Sequence, residues 1–162
     1  MLRRTIVGAL FLSLLLFAAG SGPTARAADK PAEMAAGIAE FSGSSGGMCS
    51  VIGARNAKLG MALAAQGSFT VQNLYRSADA CDEAKDAIQS EGLYGTVSAR
   101  QMDLPHLPYT ENLLDILVID RWTAIRQQGL TAEEVLRVIA PLGTGYVGGA
   151  SGARLDALKS DL

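Results

Sequence analysis

The chain has 162 residues, of which 49% are hydrophobic and 19% charged, with 14 basic and 16 acidic side chains and a formal net charge of −2. That length suits one domain rather than two. No Lys/Arg run follows the first residues, so a nucleic acid, which calls for a basic face or stripe, is not an expected partner.

Residues 1–27 read as a secretory signal peptide: "MLRR" is a positive start, "IVGALFLSLLLFAA" an uncharged apolar core, and "ARA" before Ala28 a small-x-small cleavage site. The core spans 14 residues, Ile6–Ala19, short of the roughly 20 that a membrane-crossing helix needs. An uncleaved anchor is the alternative. Cleavage removes Arg3, Arg4 and Arg26 and no acid, leaving 11 basic and 16 acidic residues and a formal charge of −5. The mature chain is expected in the periplasm or outside the cell, without a membrane partner. Export would let Cys49 and Cys81 pair, but two unpaired core thiols are favoured over a bridge, whose geometry the sequence cannot supply. A single histidine and the lack of a CxxC pair disfavour a metal site.

Residues 28–48 are expected to form a short helix and a connector. In "DKPAEMAAGIAEFSG", Met34, Ile38 and Phe41 fall at helical spacing, with Pro31 at the start and Gly43 at the end; "SGSSGG" follows as a flexible link. The α/β domain is expected over residues 49–162. "MCSVIG" is a wholly apolar run, the kind buried on both faces of a parallel sheet. "AKLGMALAAQG" predicts a helix closed by Gly67, and "FTVQNL" a second strand. "SADACDEAKDAIQSEG" predicts the clearest helix, capped by Ser77, with Cys81, Ala84 and Ile88 on one face. "TVSARQM" is a third strand, and the loop "DLPHLPYTEN" leads into "LLDILVID", a fourth. "RWTAIRQQG" predicts a short helix. In "LTAEEVLRVIAP", Thr131 and Glu134 make a capping box, with Leu130 and Val135 as its staple and Pro141 as the stop. "GTGYVGGA" reads as a fifth strand weakened by glycine, and "SGARLDALKSDL" as a turn or two of helix or a frayed tail.

Alternating strands and helices predict a parallel sheet of about five strands with helices on both faces. Right-handed crossovers favour the order 3-2-1-4-5, with a crevice at the carboxyl ends of strands one and four. The residues that would line it follow the strands: Gly53, Ala54, Arg55, Asn56 and Ala57; Tyr75 and Arg76; Asp103 and Leu104; Asp120, Arg121 and Trp122.

The strand–Gly-turn–helix, with "GLYGTVSARQMDLPHLPYTENLLDILVID" and "EEVLRVIAPLGTGYV", resembles the class I S-adenosylmethionine-dependent methyltransferase domain. It looks most like the N-terminal module of secreted bacterial proteins that carry a pyrroloquinoline-quinone-type β-propeller. The resemblance covers about residues 49–150 and implies a Rossmann-like methyltransferase fold whose later strands are missing from this sequence. That family uses an acidic-x-Gly-x-Gly-x-Gly stretch across the first strand and its turn. The four places here hold Val51, Gly53, Arg55 and Ala57. Glycines there permit positive φ and close backbone approach to the cofactor, and Arg55 brings a Cβ and a long cation instead. Where the family has a ribose-binding acid stands Tyr75, without a carboxylate's charge-assisted acceptors. Asp103 matches the acid that meets the adenine amino group, and Asp120 the position near the donor methyl.

The cofactor set implied by the resemblance is therefore Gly53, Ala54, Asn56, Tyr75, Asp103, Leu104 and Asp120, with S-adenosylmethionine binding weak or lost and no catalytic residue assigned. Structural roles compete at several positions. Asp103 suits a turn, Asp120 a helix cap, Arg55 a solvated surface and His106 an inert loop site; Tyr109 and Trp122 could line the crevice mouth or cover the sheet's end. The expected function is an exported, non-catalytic binding or scaffold module, with an active methyltransferase as the alternative. A dinucleotide-binding domain fares worse, because G-x-G-x-x-G needs glycines where Arg55 and Lys58 stand. An exposed fifth strand would be an edge open to a protein partner.

Overall fold

A strand buried on both faces needs mostly apolar sequence, and the centre of this molecule is built from two such runs. The computed structural model describes residues 30–148; the signal segment, its cleavage site and the tail after Gly148 lie outside them. The first central strand, β1 (Gly46–Ile52), pairs in parallel with β2 (Ser68–Tyr75) and β4 (Leu114–Ile119). Outside these lie β3 (Val97–Gln101) against β2 and β5 (Ile139–Val147) against β4, giving a five-stranded parallel sheet of order β3-β2-β1-β4-β5. That is the predicted topology.

Successive side chains leave opposite faces of the sheet. Cys49, Val51, Val71, Ile116 and Val118 enter one core with α1 (Lys30–Ser42), α2 (Lys58–Ala64) and α3 (Ala78–Ser90). Ile52, Leu74, Leu117 and Ile119 enter a second with Trp122 and Ile125 of α4 (Trp122–Arg126) and Val138 of α5 (Ala132–Val138). Cys49 and Cys81 are free thiols buried in the first core; burial, with Asp115 nearby, pushes Cys49 up to about 12.

Three local expectations are corrected. In α1 the buried residues are Ala35 and Ile38, while Phe41 is 82% exposed; size at helical spacing pointed to the wrong stripe. Gly46 and Gly47, taken for connector, belong to β1. Gly47 has φ 123°, and the space beside its Cα is filled by the Asp115 carboxylate, which accepts the Met48 N–H at 2.8 Å. The fifth strand begins at Ile139, directly after α5, and not at Gly143. Pro141 lies inside it, in a bulge where the register jumps from Leu114↔Ile139 to Ile116↔Thr144. A proline without an N–H is tolerated at such a place.

Helix starts follow the sequence more closely. Ser77 caps α3, accepting from Ala80 N, and Thr131 caps α5, accepting from Glu134 N at 3.2 Å. The return half of the Thr131–Glu134 box is not formed, because the Glu134 carboxylate is used elsewhere. Glu134 Oε1 accepts the Leu107 N–H at 2.7 Å, and both oxygens accept from Arg137. Thr131→Ala should therefore cost one cap bond, about 1 kcal/mol. Urea unfolding should show a lower midpoint at unchanged slope.

Candidate functional site

The chain of β1 must turn sharply between the end of the sheet and α2, and Gly53 makes that turn with φ 78°. The space where its Cβ would stand is taken by the Asp120 carbonyl and Ile125. β1 and β4 end side by side there, with Asp120 N donating to Ile52 O at 2.8 Å. The next residue, Arg121, adopts φ 56°, unusual for a residue with a Cβ. Its guanidinium folds back over the turn, and Nε and Nη2 donate to the Gly53 carbonyl at 2.9 and 2.6 Å.

Beside this contact lies a cavity of about 350 Å³ at the carboxyl ends of β1 and β2, where an open α/β sheet offers its crevice. Gly53, Ala54 and Arg55 line it from the first turn, Tyr75, Arg76 and Ser77 from the end of β2, and Arg121 and Ile125 from the far side. Leu74 and Met102 contribute apolar wall. Among the described residues that line it, three are cationic and none is acidic. Tyr75 is 5% exposed, and its hydroxyl is buried without a hydrogen-bond partner among the described residues. Burial, with the neighbouring Cys81, pushes the phenol up to about 12, so it stays neutral at ordinary pH.

Of the residues implied by the resemblance, Gly53, Ala54 and Tyr75 line the cavity; Asn56, Asp103, Leu104 and Asp120 do not. Asn56 Oδ1 accepts the Lys58 N–H at 3.2 Å, a local turn leading into α2. Asp103 is exposed in the loop after β3, and Leu104 packs against the second core. Asp120 does not cap α4, whose N-cap is Arg121 without a side-chain bond. Tyr109 and Trp122 are buried over the sheet, the Tyr109 hydroxyl lying 2.8 Å from Ser50 Oγ and 2.9 Å from Gln72 Oε1. His106 is exposed, with Nδ1 3.8 Å from Glu134 Oε2. Sequence reasoning named Arg76 and Arg121 as post-strand residues but gave them no role. A left-handed arginine leaves no mark in spacing or composition.

Chemically the crevice offers hydrogen-bond donors and positive charge. Among the described residues no carboxylate or imidazole lines it. Among the described residues no group of three or more His, Cys, Asp or Glu side chains could hold a metal ion, and no helix is long and apolar enough to cross a membrane.

No protein-family model and no curated protein matches the chain. Solved structures do. A protein assigned as an S-adenosyl-L-methionine-dependent methyltransferase from Methanococcus maripaludis superposes with a TM-score of 0.65 at 24% identity, over 81% of this chain and 61% of that one. Geranyl diphosphate C-methyltransferase from Streptomyces coelicolor A3(2), solved with Mg2+, geranyl diphosphate and S-adenosyl-L-homocysteine, gives 0.63 at 13% identity, over 71% and 44%. The [4+2]-cyclase SpnF gives 0.60 at 19%, over 70% and 41%. The chain thus spans between 41% and 61% of the length of these three structures. At such identities the likeness speaks to architecture, and one neighbour's name is not that of a methyltransferase. The described residues have the Rossmann-like methyltransferase fold.

Proposed function

We propose that this chain is an exported methyltransferase-like domain whose S-adenosylmethionine site is degenerate, acting as a non-catalytic binding module. One observation carries the reading: the Arg121 guanidinium sits on the Gly53 carbonyl, at the turn where the methyltransferase pattern expects bare glycine backbone. A sulfonium cofactor brings a positive centre into a cavity already lined by three cations, and like charges at short range repel. Tyr75, in the place of the ribose-binding acid, has a neutral phenol and no carboxylate. The alternative, an active methyltransferase using Gly53, Asn56, Asp103 and Asp120, needs carboxylates at the cofactor, and neither aspartate lines the cavity.

Calorimetric titration with S-adenosylmethionine and S-adenosylhomocysteine tests the proposal. No binding in the micromolar range is expected, and micromolar affinity for either would overturn it. Export belongs to the same proposal and rests on "MLRR", the apolar run and "ARA"; N-terminal sequencing of protein recovered from the periplasm should begin at Ala28. Kinship with the front modules of propeller proteins rests on "GLYG", "LPYTENLLD" and "EVLRVIAPLG". A protein partner is proposed at the outer edge of β5, which pairs only with β4 among the described strands.

A further inference from the structure

We infer that the crevice at the ends of β1 and β2 binds an organic phosphate, a phosphomonoester on an apolar or planar body, in the space where relatives of this fold hold an adenosyl sulfonium. This deepens the reading above and rests on the sulfonium not being the ligand.

The cavity gathers Arg55, Arg76 and Arg121 in a chain whose formal charge is negative, and no acid among the described residues lines it. Elsewhere cations do meet acids: Lys85 lies 2.8 Å from Asp82, and Arg137 lies 2.7 Å from Glu134. All three arginines are exposed and carry their charge at the rim of the space, and the planar fork of a guanidinium matches phosphate oxygens bidentately. Arg121 is already oriented: its two bonds to the Gly53 carbonyl use Nε and Nη2 and leave Nη1 for a ligand.

Tyr75 lines the cavity with its hydroxyl buried in the first core near Cys81, so it supplies wall and not a hydrogen bond. Ser77 and Ala80, at the start of the 13-residue α3, also line the space, and the positive end of that helix favours an anion. Asp79, in the same first turn, is not among the lining residues. Leu74, Met102 and Ile125 give the apolar wall against which a base or ring would lie, and about 350 Å³ falls within the range of small-molecule sites.

The test is calorimetry on the full chain with adenosine 5′-monophosphate, phenyl phosphate, benzoate, adenosine and S-adenosylmethionine. The two phosphates should bind, at least about tenfold tighter than adenosine or benzoate, with affinity falling as salt rises. Arg55→Ala and Arg76→Ala change exposed side chains and should leave the melting temperature unchanged. Each should weaken phosphate binding about tenfold. Phosphates that bind no better than adenosine, or that bind the double variant equally well, would overturn the inference while leaving the degenerate-site reading standing. Tight binding of S-adenosylmethionine would overturn both, whereas its absence beside arginine-dependent phosphate binding supports both.

Discussion

Gly53→Ala is expected to destabilise the domain by about 2–4 kcal/mol, the sum of a left-handed backbone penalty and the shift needed to admit a methyl group into a packed site. At this size the melting temperature should fall by on the order of 10 °C. Both terms come from the sheet and neither from a ligand. The residue has φ 78°, and behind it stands the Asp120 backbone carbonyl, which cannot swing aside as a side chain would. Asp120 is itself tied to Ile52 O by its N–H, so moving it strains the junction of the two central strands. Gly53 is the single glycine kept from the family pattern, and the prediction gives it a structural reason to stay. A loss below about 1 kcal/mol, within the usual range of surface substitutions, would show that the junction yields and would return this glycine to the cofactor argument. Differential scanning calorimetry of both forms, with and without S-adenosylhomocysteine, measures the two contributions separately.

That result bears on how far the crevice could be read from sequence. Strand order was legible because β1 and β4 are mostly apolar runs, broken only by Ser50 and Asp115, and a parallel sheet covered on both faces buries such runs. Helix starts were legible where one side chain does the work, as at Ser77 and Thr131. What escaped depended on partners distant in sequence. Gly47 looked like linker until Asp115, far along the chain, filled the space beside it. Pro141 looked like a helix stop, whereas α5 ends at Val138 and the proline sits in a bulge of β5. The crevice itself was found by position, since Gly53, Ala54 and Tyr75 do line it. Its electrostatic character was read only in part: Arg55 was visible as a cation in the turn, whereas Arg121 lies over it in a backbone conformation that residue type disfavours. Family analogy pointed to Asp103 and Asp120, while geometry brings arginines.

Glu134→Ala is expected to cost about 2–3 kcal/mol, the worth of a buried hydrogen bond to a charged group together with the N–H it strands. Glu134 is 8% exposed and holds the loop between β3 and β4 against α5. Its Oε1 accepts from Leu107 N, and its pairing with Arg137 aims that guanidinium at the carbonyls of Tyr109 and Leu107, 3.0 and 3.4 Å away. Loss of the carboxylate frees the loop at the point where Tyr109 reaches over the sheet to Ser50 and Gln72. Hydrogen exchange should therefore accelerate at Leu107 and Tyr109 ahead of the strands. Glu134→Gln keeps an acceptor for Leu107 and should cost less, about 1 kcal/mol, which separates the loop contact from the ion pair.

The pH dependence follows from the carboxylate's surroundings. Arg137 first, then the Leu107 N–H and His106, hold Glu134 down at about 2 against an ordinary 4.5, with burial opposing them. Glu111 also acts on Arg137 from the same loop. A folded-state value below the unfolded one gives stability that is full above 4.5 and lost as pH falls toward 2. The gap between wild type and Glu134→Gln should thus be constant near neutrality and close over that acid range. A gap that persists undiminished at the acid end would mean that the glutamine variant is destabilised by packing, and that the ion pair with Arg137 contributes nothing to holding the loop.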